Sequence, residues 1–268
     1  MSHPAGIVAS HAVAPLVDGR RQPLHILHGG RLAWQLADSH GHVICCVTFP
    51  GAHRLPHALG VDAPLDAASP LVVGAGALAS GDTHLTVTRW WEPARPRWAG
   101  LRAQIPTEAA VHMVRSWRDR LGHGCGLTPY GDDVIVGSLV TLLAAGHSLS
   151  ARWSAEIRAA PLEDLTTAAS AGLLRQAAGG FCLDEVAEVL AAYAGAATPA
   201  ATVRNGGRQA DVMQGGGMHA GVMAGDVVQV AEQRLLAVGH SSGEGLLTGI
   251  RQMLGRGAPA PCVRGAIA

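Results

Sequence analysis

The pattern of apolar and polar residues divides the chain into two parts of different character. In the first part, short apolar or alternating runs at residues 24–28, 42–49, 70–78 and 83–91 are separated by Gly, Pro, Asp and Ser. This spacing is typical of strands joined by turns. The segment 90–98 is rich in Pro and Arg, which excludes a regular helix and favours a linker or the rim of a site.

From Thr107 onwards the apolar residues recur at helical spacing. Residues 132–146 are apolar on nearly all sides, which predicts a buried helix. Further helices are expected near residues 163–178, 184–194 and 244–254, residues 227–239 fit a helix or a strand, and residues 205–225 are rich in Gly. We therefore predict an α+β chain, with a β-rich half at residues 1–104 and a mostly helical half at residues 105–268.

Composition narrows the chemistry that the chain can perform. The formal net charge is zero, and all 20 of the residues counted as Lys or Arg are Arg. The absence of Lys excludes a Schiff-base lysine and a phosphate-binding loop of the Walker type. A neutral chain is not expected to bind nucleic acid.

The cysteines and the apolar runs indicate where the protein works. There are 5 cysteines without a CxxC pair, and we interpret the adjacent Cys45 and Cys46 as small buried residues on opposite faces of a strand. No signal peptide and no membrane span is recognised, so we expect a cytoplasmic protein. The 14 histidines lack zinc-site spacing, and we expect no metal ligands among them.

The most informative segment is GHGCGLTPYGDD at residues 122–133, directly before the buried helix. Alternating glycines, among them Gly124 and Gly126, allow backbone to approach a ligand closely. Gly131 sets a turn, and Thr128 offers a hydroxyl. Because the helix is expected to begin near Asp132, its unpaired amides would favour a small anion.

Two interpretations of Asp132 and Asp133 stay open. In the first, they only cap the helix and complement its dipole. In the second, one of them accepts a hydrogen bond from a carbamoyl NH₂ group or holds Mg²⁺, which would relieve their repulsion of an anion.

A second candidate segment, GHSSG at residues 239–243, matches the nucleophile elbow of hydrolases. A hydrolase that uses Ser241 is disfavoured, because no His or Asp follows that residue. The alternatives are a capping box of Ser241 and Glu244, or a second ligand loop in which His240, Ser241 and Ser242 donate hydrogen bonds.

The third segment, residues 164–174, carries hydroxyls on a predicted helix. Thr166 and Ser170 would share a face, although such hydroxyls usually bond to the preceding turn. Gly172 suggests close approach by another backbone.

Three strings in one order carry a resemblance: GxGxGLTPxGDD, TTxxSAxLLxxAxxG at residues 166–180, and GHSSGxxLLxGI at residues 239–250. Together they resemble the AllH-like family, which is named for a subunit of a bacterial oxamate carbamoyltransferase. The resemblance implies transfer of a carbamoyl group between oxalurate and phosphate, giving oxamate and carbamoyl phosphate, together with two other subunit types. The family usually has Ser at the position of Tyr130, which indicates that the substrate could be a different carbamoyl or acyl compound.

From these observations we predict a subunit of a carbamoyltransferase-type enzyme without a required cofactor, Mg²⁺ being the candidate if one is used. The rival is a non-catalytic, small-anion-binding partner of a larger enzyme. The predicted catalytic residues are Thr128, Asp132 and Asp133, and the predicted substrate-binding residues are Gly124, Gly126, Tyr130, Gly131, Thr167, Ser170, His240, Ser241 and Ser242. Since two loops precede two helices, we also expect Thr128 and Ser241 to lie on one cleft.

Overall fold

The computed structural model describes residues 6–197 and 224–257. Its N-terminal part is a closed eight-stranded barrel in the order β1-β5-β4-β3-β2-β6-β7-β8. The strands are β1 (Ile7–Ser10), β2 (Gln22–Gly29), β3 (Ala33–Ala37), β4 (Val43–Thr48), β5 (Ala58–Val61), β6 (Leu71–Gly74), β7 (Ala77–Ser80) and β8 (Thr83–Trp91). The pairs β1–β8 and β4–β5 are parallel, and the other neighbours are antiparallel.

Alternation along the strands gives the barrel its own core. Leu36, Cys45 and Val47 point inside, where they join the buried aliphatic side chains of the other strands. Cys46 and Thr48 therefore lie on the outer face of β4, in accordance with the period of two in a strand. This outer face is the wall that the barrel offers to the helical part.

The helical part has a second hydrophobic core. A short helix in the barrel part is α1 (Ala14–Val17), and the others are α2 (Thr107–Ser116), α3 (Tyr130–Ala144), α4 (Leu149–Ala159), α5 (Leu162–Leu165), α6 (Ala168–Ala178), α7 (Asp184–Ala197), α8 (Ala224–Leu236) and α9 (Ser242–Met253). Turns of 3-10 helix lie at His11–Val13, Ala99–Gln104 and Trp117–Asp119. Helix α3 is buried along almost its whole length, and its residues are accordingly apolar on nearly all sides, apart from Asp132 and Asp133 in the first turn.

Helices α3 and α9 approach each other through glycines on both sides. A Cβ atom on Gly137 would overlap the carbonyl oxygen of Leu246, and one on Gly249 would overlap that of Val134. On the same contact, a Cβ on Gly245 would lie 2.7 Å from Cβ of Asp133. Because no side chain separates the backbones, the beginning of α9 is held against the first turns of α3.

The predicted fold class is confirmed, since a β-barrel is followed by a mostly helical part. The boundary between residues 104 and 105 stays a prediction. The sequence did not predict three strands, β1, β3 and β5, or two helices, α1 and α4. Within the described residues, no helix combines the length and apolarity needed to cross a bilayer.

Other expectations need correction. The run 70–78 is a hairpin of β6 and β7, with a turn at Ala75. The helix expected at residues 163–178 is broken into α5 and α6, so Thr166 lies between two helices and shares no helical face with Ser170. Gly172 packs against Val43 of β4, whose side chain would lie 3.1 Å and whose carbonyl oxygen 3.7 Å from an added Cβ, so another strand does approach this glycine closely. Residues 227–239 are helical up to Leu236, and most of the Gly-rich run lies outside the described residues.

A pair of helical Gly→Ala substitutions tests the glycine contact. Gly137→Ala should lower the free energy of unfolding by about 1–3 kcal/mol, because the new methyl group overlaps backbone that cannot rotate away. Gly195→Ala, on α7, where the described residues place no atom beyond the neighbouring helix backbone within 4 Å of the added carbon, should be neutral or stabilise by up to about 1 kcal/mol. Chemical unfolding of both variants measures the difference. Equal effects would mean that α3 and α9 do not pack this closely.

Candidate functional site

A cavity of about 480 Å³ lies between the outer wall of the barrel and the helical part. The lining from the barrel part includes Gln35, Thr48, His53, Leu55 and Pro56, and the lining from the helical part includes Cys125, Gly126, Leu127, Thr128, Asp133, Val136, Ala169, Leu173, Phe181, Val186, His240, Ser241 and Ser242. Apolar atoms contribute most of the surface of the cavity. The predicted meeting of Thr128 and Ser241 on one cleft is therefore confirmed.

The loop at residues 122–133 and the turn at residues 239–243 are joined by a hydrogen bond. The hydroxyl oxygens of Thr128 and Ser242 are 2.7 Å apart, so one donates to the other. Ser241 stands at the N-cap of α9, but its side chain bonds to no backbone amide there. The capping-box interpretation of Ser241 and Glu244 is wrong, and Ser242 is the serine that connects the two segments.

The glycines of the loop have different functions in the fold. Gly124 has φ +122°, and a Cβ on it would lie 2.6 Å from the amide nitrogen of Tyr130. Gly131 packs so closely on the carbonyl oxygen of Arg120 that any side chain would collide with it. Gly126 also has positive φ, yet open space surrounds it and it lines the cavity. Of these three, only Gly126 is placed for contact with a ligand.

Asp132 is a structural carboxylate in this arrangement. One oxygen accepts a hydrogen bond of 2.7 Å from the amide of Gly122, and the other accepts from the hydroxyl of Thr166. The side chain is buried and is not part of the cavity lining. It therefore fixes the start of the loop to the segment between α5 and α6.

Asp133 is the carboxyl group that faces the cavity. It is only 3% exposed, and its Oδ2 has no hydrogen-bond partner in the described part of the chain. Burial raises the pKa of Asp133 to about 8, and the negative charge of Asp132 adds to this rise. The hydroxyls of Ser242 and Thr128 oppose the shift by hydrogen bonding to the charged form.

This environment gives Asp133 two chemical abilities near neutral pH. As an acid it can donate a hydrogen bond or a proton to a carbonyl oxygen or a leaving nitrogen. As a carboxylate it can accept a hydrogen bond from an NH₂ group. The paired hydroxyls of Thr128 and Ser242 supply a further donor beside it.

The lining is less suited to an anion than the sequence suggested. Two amides in the first turn of α3 are already used, since Gly131 donates to His123 and Asp132 donates to Pro129. Among the described residues, none that lines the cavity is an Arg. The cavity therefore favours a small ligand that presents an uncharged amide to Asp133.

Tyr130, Thr167 and Ser170 are not part of the cavity lining. The hydroxyl of Tyr130 lies 2.8 Å from that of Thr248 and joins α3 to α9. Thr167 caps α6 by accepting from the amide of Ser170, and its hydroxyl donates to the carbonyl of Leu127 at 2.5 Å. Ser170 is buried, with no partner for its hydroxyl among the described residues.

The barrel wall contributes residues that the sequence did not single out. Gln35 and His53 both line the cavity, and Nδ1 of His53 lies 2.9 Å from a carboxylate oxygen of Glu185 at the start of α7. The only signal for Gln35 is a polar residue next to the apolar Leu36 on one strand, which is equally typical of a solvent-facing position. Across the described ranges, no three His, Cys, Asp or Glu side chains are grouped to hold a metal ion.

Comparison with known proteins identifies the segment that builds one wall of the site. Residues 120–225 match the family model described as oxamate carbamoyltransferase subunit AllH. The match confirms the resemblance over this segment, which contains the loop and helices α3 to α7. It ends before the turn at residues 239–243. Searches of curated proteins and of solved structures found no match.

The raised pKa of Asp133 predicts how stability depends on pH. The folded protein holds a proton on Asp133 up to about pH 8, whereas the unfolded chain releases it near pH 4. The contribution of this group to stability is therefore complete below about pH 4 and is lost as pH rises towards about 8. Relative to Asp133→Asn, the wild type should lose stability steadily between these values.

Urea unfolding of both proteins at several pH values measures the trend. The exposed Asp82→Asn is the matched control, and its difference from the wild type should not follow this course. A constant difference between the wild type and Asp133→Asn from pH 5 to pH 8 would show that the pKa of Asp133 is not raised.

Proposed function

We propose that this chain is a subunit of a carbamoyltransferase-type enzyme and that its cavity binds the carbamoyl group of the substrate. The matched family is named as a subunit of oxamate carbamoyltransferase. The observation that carries the proposal is Asp133, a buried carboxyl group whose pKa is raised to about 8 beside two hydroxyls in an apolar cavity. Such a group suits an amide that must lose or gain a proton.

The reaction that we propose is the exchange between oxalurate with phosphate and oxamate with carbamoyl phosphate. A phosphate oxygen attacks the carbamoyl carbon, and the bond from that carbon to the oxamate nitrogen breaks. The leaving nitrogen takes the proton of Asp133, and the phosphate returns a proton to Asp133, so that atoms and charge balance. In the Thr128–Ser242 pair, the hydroxyl whose hydrogen is not used between the two donates to the oxygen on which negative charge develops.

In this proposal Asp132 is a positioning residue. Its bonds to Gly122 and Thr166 hold the loop that carries Gly126 and Thr128 to the cavity. Thr167 supports the same loop through Leu127. Ser241 and His240 also line the cavity, and in this proposal they contact the ligand.

The lining also supports a role within a larger assembly. Phosphate and the oxalurate carboxylate are anions, while the described lining contains no Arg and its helix amides are largely used. We therefore propose that groups outside this lining, including those of other subunits, hold the anionic parts. The described cysteines are free, which is consistent with the cytoplasm as the place of this chemistry in allantoin breakdown.

The rival function is a non-catalytic partner that binds a small ligand while another subunit performs the transfer. The same lack of cationic lining favours it. The two functions differ in what Asp133 does. In a catalytic subunit the acid changes the rate of transfer, whereas in a binding partner it changes only affinity or assembly.

The test uses the complex that co-purifies with the chain from its native host. Asp133→Asn should lower kcat for carbamoyl transfer from carbamoyl phosphate to oxamate by about a hundredfold or more, since the amide cannot exchange the proton. Assembly measured by size-exclusion chromatography should be unchanged. Asp82→Asn is the matched control and should keep the wild-type rate.

Each contrary result has a definite meaning. An unchanged kcat in the Asp133→Asn complex would support the rival function. A wild-type complex that forms no oxalurate from these two substrates would overturn the carbamoyltransferase proposal itself.

A further inference from the structure

Three residues on or directly before adjacent barrel strands are joined by hydrogen bonds in a series that ends at the cavity. The Sγ atom of Cys46 lies 2.9 Å from Oε1 of Gln35 and 3.3 Å from Nε2 of His57. Gln35 and Cys46 are direct partners in the register of β3 and β4, and His57 immediately precedes β5. Gln35 lines the cavity, while Cys46 and His57 are buried behind it.

The donor and acceptor in each of these hydrogen bonds follow from the position of the proton on His57. Burial lowers the pKa of His57 to about 4, so the imidazole is neutral and only one ring nitrogen carries a hydrogen. Its Nδ1 is buried with no partner in the described residues. A buried N–H without an acceptor is less favourable than a buried acceptor without a donor, which places the hydrogen on Nε2.

The other directions are then fixed in turn. Nε2–H of His57 donates to the sulfur of Cys46, and the thiol hydrogen of Cys46 donates to Oε1 of Gln35. Burial raises the pKa of Cys46 well above its usual value, so the thiol keeps its hydrogen for this bond. Among the described residues, nothing accepts a hydrogen bond from the Nε2 of Gln35.

We propose that Gln35 is a ligand-binding residue that the Cys46–His57 pair holds with its amide NH₂ group towards the cavity. Its chemistry is that of an oriented double donor for a carbonyl or carboxylate oxygen. Asp133 lies on the helical wall of the same cavity. A ligand that carries both an NH₂ group and an adjacent oxygen would be held between the two walls.

This inference rests on the proposed function, since it concerns the same cavity. Gln35 on the barrel wall donates to an oxygen atom of the ligand, whereas Asp133 forms a hydrogen bond with the amide group of the ligand. Cys46 and His57 are positioning residues, because they act only through Gln35. The arrangement favours substrates with a planar group that offers an oxygen beside a carbamoyl nitrogen, such as oxamate or oxalurate.

The first experiment needs no ligand. Nitrogen-15 NMR of the histidine rings should show His57 as the Nε2–H tautomer at neutral pH. The Nδ1–H tautomer would reverse donor and acceptor in both hydrogen bonds and turn the amide oxygen of Gln35 towards the cavity. That result would overturn the proposal.

The second experiment measures binding of oxamate, oxalurate and carbamoyl phosphate by calorimetry, with protection of the exposed Cys125 from alkylation as an independent readout. Gln35→Leu should weaken binding of oxamate and oxalurate about tenfold or more, the usual effect of an unpaired hydrogen-bonding group. Gln22→Leu, an exposed glutamine on β2, is the matched control and should bind as the wild type does.

The positioning role has its own signature. Cys46→Ala should weaken oxamate binding. Cys46→Ser should retain much of the wild-type affinity, because a hydroxyl can accept the hydrogen bond from His57 and donate the one to Gln35. Wild-type affinity in Gln35→Leu would overturn the proposal. A wild-type protein that binds none of the three compounds would instead overturn the proposed function, and the tautomer of His57 would still decide the orientation of Gln35.

Discussion

The close contact between helices α3 and α9 determines the geometry of the whole site. Glycines on both helices bring the backbones together, with Gly137 against Leu246 and Gly249 against Val134. Gly245 packs on Cβ of Asp133 in the same contact. A side chain at any of these points would separate the helices, and the turn that carries Ser242 would leave Thr128. The hydroxyl pair beside Asp133 therefore depends on residues that never touch a ligand.

A second constraint is the burial of Asp133 at an apolar cavity. Asp133 is almost fully buried and has only two hydroxyls to stabilise its charge, so its proton is held to about pH 8. Asp132 is equally buried but accepts from Gly122 and Thr166, which makes it a structural group. Two adjacent acids thus acquire different functions from their hydrogen-bond partners. The barrel completes the cavity by placing Gln35 opposite to them, so neither half of the chain forms this site alone.

The sequence predicted some of these features and could not predict others. Residues 132–146 are apolar on nearly all sides, and this alone indicates a buried helix. The loop at residues 122–133 was recognisable from its glycines. Adjacent acids at a helix start, however, point in directions about 100° apart, and only packing decides which one faces a cavity. Strands β3 and β5 are short, and the partners of Gln35 come from β4 and from the residue before β5, which only the pairing of these strands brings together.

The most direct test of the account is a crystal structure of the protein with oxamate bound. The account predicts that oxamate lies in the cavity between the barrel and α3, with its NH₂ group within hydrogen-bonding distance of Asp133 and an oxygen facing Gln35. Oxamate bound elsewhere on the chain, or in the cavity without contact to Asp133, would contradict it.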